Sequence, residues 1–249
     1  MKKAFLAYFT LGYPNIETTE EVIKGAIEGG ATGIEIGIPF SDPVADGPTI
    51  QHAHNIALKN GTLADDVFSL LKNLGPYREK VNFYIMAYLN SIMNAPCGME
   101  NFIKKSKKYG VEGFIIPDLP FSEIKRKKVK IDFPLILFAT NESPFDTLKE
   151  YKKYKPPFVY YIARYGTTGE RKTLPDDIRE NIALIKGAIE LPLYIGFGIS
   201  KKEHVKTLYE VADGVIVGSH LIKLIIENED KRPENIGKII KEEVKKLLG

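Results

Sequence analysis

The most constraining feature of this sequence is the repeated alternation of short apolar runs with longer amphipathic stretches. The apolar runs are rich in β-branched and aromatic residues, and the stretches between them carry apolar side chains at helical spacing. Strands that are apolar on both faces are typical of a parallel sheet covered by helices. The eight predicted strands span residues 4–10, 33–38, 82–88, 113–117, 134–139, 158–163, 193–196 and 214–217.

This pattern predicts an α/β fold of the (β/α)8 TIM-barrel class, formed by a single domain over residues 1–249. Eight strand–helix units in about 250 residues is the usual size of such a barrel. A doubly wound open sheet is the alternative, but it usually has fewer strands at this length. Its dinucleotide-binding fingerprint is also missing, because residues 196–200 offer only two glycines, far from the first strand. Helices are predicted over 17–28, 49–60, 63–74, 99–109, 121–129, 144–153, 175–189, 201–209, 221–227 and 234–248.

Composition argues against several classes of protein. The 35 basic and 32 acidic residues leave a net charge of +3, too small to predict nucleic acid or a membrane surface as a partner. No apolar run reaches the roughly 18 residues needed to span a bilayer. The lone cysteine, Cys97, excludes an internal disulfide and fits a reducing compartment, so a cytoplasmic location is predicted.

The segment 34–48 carries the strongest chemical signal. Glu35 lies inside an isoleucine-rich run, and Asp42 and Asp46 follow in a loop that contains three prolines. A charged carboxylate among apolar side chains is costly unless it is paired or protonated. Catalytic groups of barrels lie at the carboxyl ends of strands and in the next loops, so Glu35 and Asp46 are predicted to be catalytic. The alternatives are a core ion pair for Glu35 and turn or helix-cap roles for the aspartates.

Glycines mark a second candidate site near the C-terminus. They occur after the sixth, seventh and eighth predicted strands, at Gly169, Gly198 and Gly218. Barrels commonly bind phosphate with the loops after strands seven and eight and the N-terminus of a short helix. The polar loop 164–171 is expected to close over a substrate. The alternatives are ordinary tight turns for the glycines and a mobile surface loop for 164–171.

Histidines do not predict a metal site. His52 and His54 are two residues apart, so they project from different sides of a helix and cannot chelate one ion together. His204 and His220 stand alone and are interpreted as packing or surface residues. No second thiol lies near Cys97 to complete a ligand set.

Taken together, the motifs resemble those of the tryptophan synthase α subunit family. The resemblance covers nearly the whole chain, and its longest and most specific part is the segment 35–51. The other matching motifs are Pro117-Asp118-Leu119-Pro120, Arg164-x-Gly-x-Thr-Gly169, Gly196-Phe-Gly-Ile-Ser200 and Gly218-Ser219. The resemblance implies a barrel that cleaves indole-3-glycerol phosphate to indole and glyceraldehyde 3-phosphate without a cofactor or metal. It also implies delivery of the indole to a pyridoxal phosphate-dependent β subunit within an αββα heterotetramer.

The resemblance also assigns roles to individual residues. Glu35 and Asp46 match the family's catalytic glutamate and aspartate, and Tyr160 matches a tyrosine near the reacting centre. The remaining matches are Gly169, Gly198, Gly218 and Ser219 for the substrate phosphate; Tyr8, Met86, Ile115 and Phe197 for the indole pocket; Thr168 for loop closure; and Asp42 for the β-subunit interface.

The different surroundings of Glu35 and Asp46 predict different roles for the two carboxyl groups. The isoleucines around Glu35 should raise its pKa, so that it acts as the general acid. Asp46, on a wetter loop, is expected to stay ionised and to accept a hydrogen bond from the indole N–H.

Three departures from the family pattern are expected to affect stability and subunit contacts more than chemistry. The family's N-terminal helix is expected to be missing or reduced, Tyr13 replaces a common acidic residue, and Tyr165 is bulky where small residues are frequent. Three alternative functions stay open at this point. They are another phosphate-binding barrel of tryptophan or histidine biosynthesis, a chain that serves mainly to activate its β partner, and a standalone indole-releasing lyase.

Overall fold

Eight parallel strands close into a barrel in the computed structural model, which describes residues 3–126, 132–162, 176–196 and 198–249. Each strand pairs with the next along the chain, and β8 pairs with β1. The strands are β1 Ala4–Thr10, β2 Gly33–Gly37, β3 Asn82–Met86, β4 Val111–Ile115, β5 Leu135–Ala139, β6 Val159–Ile162, β7 Leu193–Gly196 and β8 Gly214–Val217. The predicted (β/α)8 barrel is thereby confirmed.

Helices separate the strands and cover the outside of the barrel. They are α1 Ile16–Gly29, α2 Pro48–Lys59, α3 Asp66–Asn73, α4 Leu89–Met93, α5 Met99–Lys108, α6 Phe121–Lys125, α7 Phe145–Glu150, α8 Asp176–Ile189, α9 Lys202–Val211, α10 Ser219–Ile226 and α11 Pro233–Leu248. Among the described helices, none is both long and apolar enough to cross a bilayer.

Helix α1 shows how local sequence sets the helix ends. The Asn15 side chain accepts a hydrogen bond from the backbone N–H of Thr18, which caps the N-terminus. The helix ends at Gly30, whose φ of 110° lies in the left-handed region that glycine adopts at low cost. The chain then turns directly into β2.

Small residues bring the last helix against the first. A side chain at Gly25 of α1 would meet the carbonyl carbon of Gly237 in α11 at 2.8 Å, and one at Gly237 would meet the Glu21 carbonyl oxygen at 2.7 Å. The two helix backbones therefore touch, and α11 covers a flank of the barrel beside α1.

The inner face of the barrel combines large aromatic residues with glycines. In register, Tyr8 of β1 lies beside Glu35 of β2, and Glu35 lies beside Tyr84 of β3. The Tyr8 ring fills the space next to Gly37, and the Tyr160 ring fills the space next to Gly196. Because these glycines lack side chains, two tyrosines fit at the carboxyl end of the barrel and form the floor of a cavity.

Several predicted boundaries differ from the structure by a few residues, and one helix was missed. Strand β4 begins at Val111 instead of residue 113, with Val111 buried and Glu112 exposed. Helix α4, residues 89–93, was not predicted, because it has only five residues and follows β3 closely. Its first N–H, that of Leu89, donates to the Asp118 carboxylate at 2.8 Å, so a residue after the next strand caps it.

Candidate active site

A single cavity at the carboxyl ends of the strands brings the predicted site residues together. Its volume is about 460 Å³, within the usual range for sites that hold small molecules. The predicted residues that line it are Tyr8, Glu35, Asp46, Met86, Ile115, Tyr160, Gly198, Gly218 and Ser219. Gly169, Thr168 and Phe197, also predicted, lie outside the described residues.

Glu35 is the buried acid of this cavity. It is the middle residue of β2, and only 3% of it is exposed. Among the residues that the structure describes, none forms a hydrogen bond with its Oε2. Burial, and then the negative charge of Asp46, raise the pKa of Glu35 to about 8. The carboxyl is therefore mainly protonated at neutral pH and has a proton to donate.

Asp46 faces the same cavity from the loop between β2 and α2. Most residues of this loop are exposed, but only 9% of the Asp46 side chain itself is exposed. The hydroxyl of Tyr88 donates to its Oδ2 at 2.8 Å, and the Gln51 side-chain amide donates to its backbone carbonyl at 2.7 Å. Asp46 is thus a fixed acceptor at the cavity wall.

Two residues beside Asp46 were not identified as site residues from the sequence. Tyr88 follows β3 and receives the Ala45 backbone N–H at 3.0 Å as well as bonding to Asp46. His54 of α2 is fully buried, and its Nε2 lies 3.4 Å from Oδ2 of Asp46. The sequence could have indicated Tyr88 as a site residue, because it lies at the carboxyl end of a predicted strand. No feature of the sequence near His54 distinguished that residue.

The part of the cavity lining that follows β7 and β8 has the features of an anion site. Gly218 precedes the first turn of α10, Ser219 begins that helix, and Gly198 has a φ of 23° in the loop after β7. Backbone N–H groups at a helix start attract a phosphate dianion. His220 also lines the cavity, and its Nε2 lies 2.8 Å from Oε1 of Glu243 in α11. The interpretation of His220 as a packing or surface residue was therefore incomplete.

Apolar and aromatic side chains form much of the remaining cavity lining. Tyr160 stacks on Phe138 with ring centroids 5.4 Å apart. Met86 and Ile115 lie at the ends of β3 and β4. Burial raises the pKa of Tyr8 and of Tyr160 well above the usual tyrosine value, with the charges of Asp46 and Glu35 acting in the same direction. Both phenols therefore stay neutral, and the cavity suits a flat, apolar ring.

Asp42 lies outside the cavity, on the exposed part of the same loop. Its carboxylate accepts a hydrogen bond from the Ser41 hydroxyl, and its backbone carbonyl accepts from the Val44 N–H at 2.8 Å. The Val44 side chain beside it is 83% exposed. An exposed apolar residue next to a carboxylate suits a contact with another chain more than a contact with substrate.

The fold and the cavity define the class of protein. It is a barrel enzyme whose cavity combines a buried acid, a fixed carboxylate, apolar side chains and a helix start suited to an anion. A sequence model of the family described as tryptophan synthase alpha chain matches residues 1–247. The chain belongs to the tryptophan synthase alpha chain family.

Individual relatives agree with this assignment. The tryptophan synthase alpha chain of Thermotoga petrophila is 44% identical over 247 residues, which is 99% of each chain. A crystal structure of tryptophan synthase subunit alpha from Legionella pneumophila superposes with a TM-score of 0.85 at 28% identity, covering 99% of this chain and 93% of that one. An X-ray structure of the tryptophan synthase A-subunit of Pyrococcus furiosus gives a TM-score of 0.83 at 34% identity, covering all of both chains.

Proposed function

We propose that this protein cleaves indole-3-glycerol phosphate into indole and glyceraldehyde 3-phosphate. The observation that carries the proposal is the environment of Glu35, a buried carboxyl whose pKa is raised to about 8. A group that is protonated at neutral pH and faces a substrate-sized cavity can act as a general acid. Membership of the tryptophan synthase alpha chain family fixes the reaction that this acid would serve.

Protonation of the indole ring is the difficult step. In a retro-aldol cleavage the leaving group is the ring carbon C3, which must accept the electrons of the breaking C–C bond. If Glu35 gives its proton to C3, the ring becomes an indoleninium-like cation that can accept them. The ring thereby acts as its own electron sink, and no Schiff base with a lysine is required.

Glu35 also recovers a proton after it has donated its own. After protonating C3, Glu35 is a carboxylate beside the glycerol chain. It can take the proton of the hydroxyl next to the breaking bond as that carbon becomes the aldehyde of glyceraldehyde 3-phosphate. The electrons of the broken bond return to indole, and Glu35 is protonated again for the next turnover.

Asp46 is proposed to stabilise the charged ring. Its carboxylate would accept a hydrogen bond from the indole N–H, which grows more acidic as the ring becomes cationic, so the interaction is stronger in the transition state. The bond from Tyr88 holds the carboxylate in place before the substrate binds. Tyr160, a neutral phenol in the cavity lining, would contact the reacting centre.

The phosphate would be held where the loop after β7 and the start of α10 line the cavity. Gly198, Gly218 and Ser219 line that part, and the first turn of α10 contributes the positive end of its dipole. The family resemblance adds Gly169 to this group. Tyr8, Met86 and Ile115 would enclose the indole ring together with Phe197, and Thr168 would act in closure of the loop over the substrate.

The partner proposed for this chain is a tryptophan synthase β subunit in an αββα heterotetramer. The exposed loop with Asp42 and Val44 supports this proposal, because an 83% exposed valine is suited to burial in an interface. We also propose a cytoplasmic location, supported by the single cysteine of the chain. Gel filtration with the β subunit from the same source tests the assembly, and Val44→Asp should weaken it.

Indole release from purified protein tests the proposed reaction. The protein is incubated with indole-3-glycerol phosphate, and indole and glyceraldehyde 3-phosphate are both quantified. Equal amounts of the two products support the proposal. Ring closure products, isomerised substrate or no turnover, with and without the β subunit, would contradict it.

A further inference from the structure

A fully buried histidine lies behind Asp46. The ring of His54 has no exposed surface, and its Nδ1 receives a hydrogen bond from the Phe40 backbone N–H at 3.3 Å. A ring nitrogen that accepts this bond carries no hydrogen. In the neutral ring, the hydrogen must therefore be on Nε2.

In the described part of the chain, Nε2 has no hydrogen-bond partner but lies close to one carboxylate. Nε2 of His54 lies 3.4 Å from Oδ2 of Asp46, and no closer hydrogen-bond partner for Nε2 is found among the described residues. A buried N–H without an acceptor is unfavourable, so the ring and the carboxylate are expected to stay together. The geometry in this structure falls short of a hydrogen bond, and the proposal requires the ring and the carboxylate to move slightly closer.

Tyr88 and Phe40 complete the arrangement. The Tyr88 hydroxyl donates to the same oxygen, Oδ2, at 2.8 Å. Phe40 ties the two donors to each other, because its backbone bonds to His54 while its ring stacks on Tyr88 at 4.9 Å between centroids. Both donors therefore approach one carboxylate oxygen from fixed positions.

We propose that His54 is a positioning residue for Asp46: as a neutral donor it holds Oδ2 together with Tyr88, so that Oδ1 is presented to the indole N–H of the substrate. This inference rests on the role of Asp46 in the proposed function. It assigns His54 no contact with substrate. The Asp46 carboxylate is then oriented before the substrate binds, and it loses no orientational freedom during catalysis.

Two substitutions separate the effect of the hydrogen-bond donor from the effect of filling the space of the ring. In His54→Gln the amide nitrogen takes nearly the place of Nε2 and can still donate to Asp46. In His54→Asn the amide oxygen takes nearly the place of Nδ1 and can still accept from Phe40, but nothing reaches Asp46. Both variants replace histidine with an amide. Asparagine is one methylene smaller than glutamine and leaves more space in this buried site, so the free energy of unfolding of both variants is measured beside their kinetics.

The test compares kcat and KM for indole release between the two variants. We expect His54→Gln to stay within about threefold of the parent kcat and His54→Asn to lose about tenfold or more, because the bond to a charged acceptor is lost. The dissociation constant for glycerol 3-phosphate should be unchanged in both. Equal kcat values for the two variants, or a slower Gln variant, would overturn the proposal.

Nuclear magnetic resonance tests the tautomer of His54 on which the proposal depends. In ¹⁵N-labelled protein, long-range proton–nitrogen correlations of the His54 ring should show a protonated Nε2 and an unprotonated Nδ1. The opposite tautomer overturns the proposal. The Asp46→Asn variant distinguishes the two levels of inference: if it keeps full activity, the proposed role of Asp46 fails, and if it is inactive while His54→Asn is not, only the role of His54 fails.

Discussion

Asp46 and Glu35 face one cavity, and the negative charge of Asp46 adds to burial in raising the pKa of Glu35 to about 8. The two carboxyl groups have similar chemistry and different surroundings. Among the described residues no group hydrogen-bonds to Oε2 of Glu35, whereas Oδ2 of Asp46 accepts from Tyr88. This contrast suits one to donate a proton and the other to stabilise positive charge.

The raised pKa predicts how activity depends on pH. Glu35 acts as an acid, so the active form is the protonated one. We expect kcat/KM for indole release to fall as pH rises above about 8, approaching tenfold per pH unit. Carbon-13 NMR of labelled glutamate should give a lower pKa for Glu35 in Asp46→Asn, because the neighbouring charge is gone. A fall in activity at high pH whose midpoint differs from the pKa measured for Glu35 would contradict the assignment.

The same pKa predicts a stability change on removing the acid. Glu35 is neutral in the folded protein up to about pH 8 but ionises near 4.5 when unfolded. The unfolded state therefore binds fewer protons between these values, and stability falls as pH rises through this window. Glu35→Gln should raise the free energy of unfolding by an amount that grows between pH 5 and pH 8, on the order of 3 kcal/mol. Denaturant titrations at both pH values check this, and a gain that is equal at the two would argue against it.

The contact between α1 and α11 predicts opposite effects for one substitution at two helical glycines. A methyl group at Gly25 would overlap the Gly237 backbone at 2.8 Å, so Gly25→Ala should destabilise the protein by about 1–3 kcal/mol. In α8, Gly187 has no atom of the described structure within 4 Å of that position, apart from its chain neighbours and its own helix backbone. Gly187→Ala should therefore stabilise by about 0.5–1 kcal/mol. Thermal unfolding of the two variants measures the changes in stability. Equal changes would contradict the close packing of α1 against α11.

The proposed phosphate site predicts a charge effect on substrate binding. Ser219 begins α10 beside the proposed phosphate site, so Ser219→Asp places a negative charge against a dianion. We expect KM for indole-3-glycerol phosphate to rise about tenfold or more, and affinity for glycerol 3-phosphate to fall in parallel. Ser122→Asp is the matched control, because Ser122 is an exposed serine in the first turn of α6 and does not line the cavity. Parallel losses in both variants would point away from a phosphate site at Ser219.

The barrel was predictable because each strand is apolar on both faces. Glu35 stood out for the related reason that a carboxylate interrupts such a strand. The start of β4 was missed because Glu112 there is exposed, unlike the interior of the other strands. Helix α4 was missed because its cap, Asp118, is 29 residues away from Leu89.

The surroundings of Asp46 could not be predicted in the same way. Its loop has the polar composition of an exposed turn, yet Tyr88, 42 residues along the chain, reaches across and binds the carboxylate. His54 lies in the next helix, and its contact with Asp46 depends on how α2 packs against the barrel. Such partners are set by tertiary packing, so the sequence shows the acidic residue but not what holds it.

The most direct measurement is indole release by Glu35→Gln beside the control Glu112→Gln. Glutamine fills the place of the acid but cannot protonate indole C3, and Glu112 is a strand glutamate on the exposed face of β4. The account predicts a loss of kcat of about 100-fold or more for Glu35→Gln, with affinity for glycerol 3-phosphate unchanged, and normal kinetics for the control. Turnover by Glu35→Gln at the parent rate would contradict the assignment of Glu35 as the general acid.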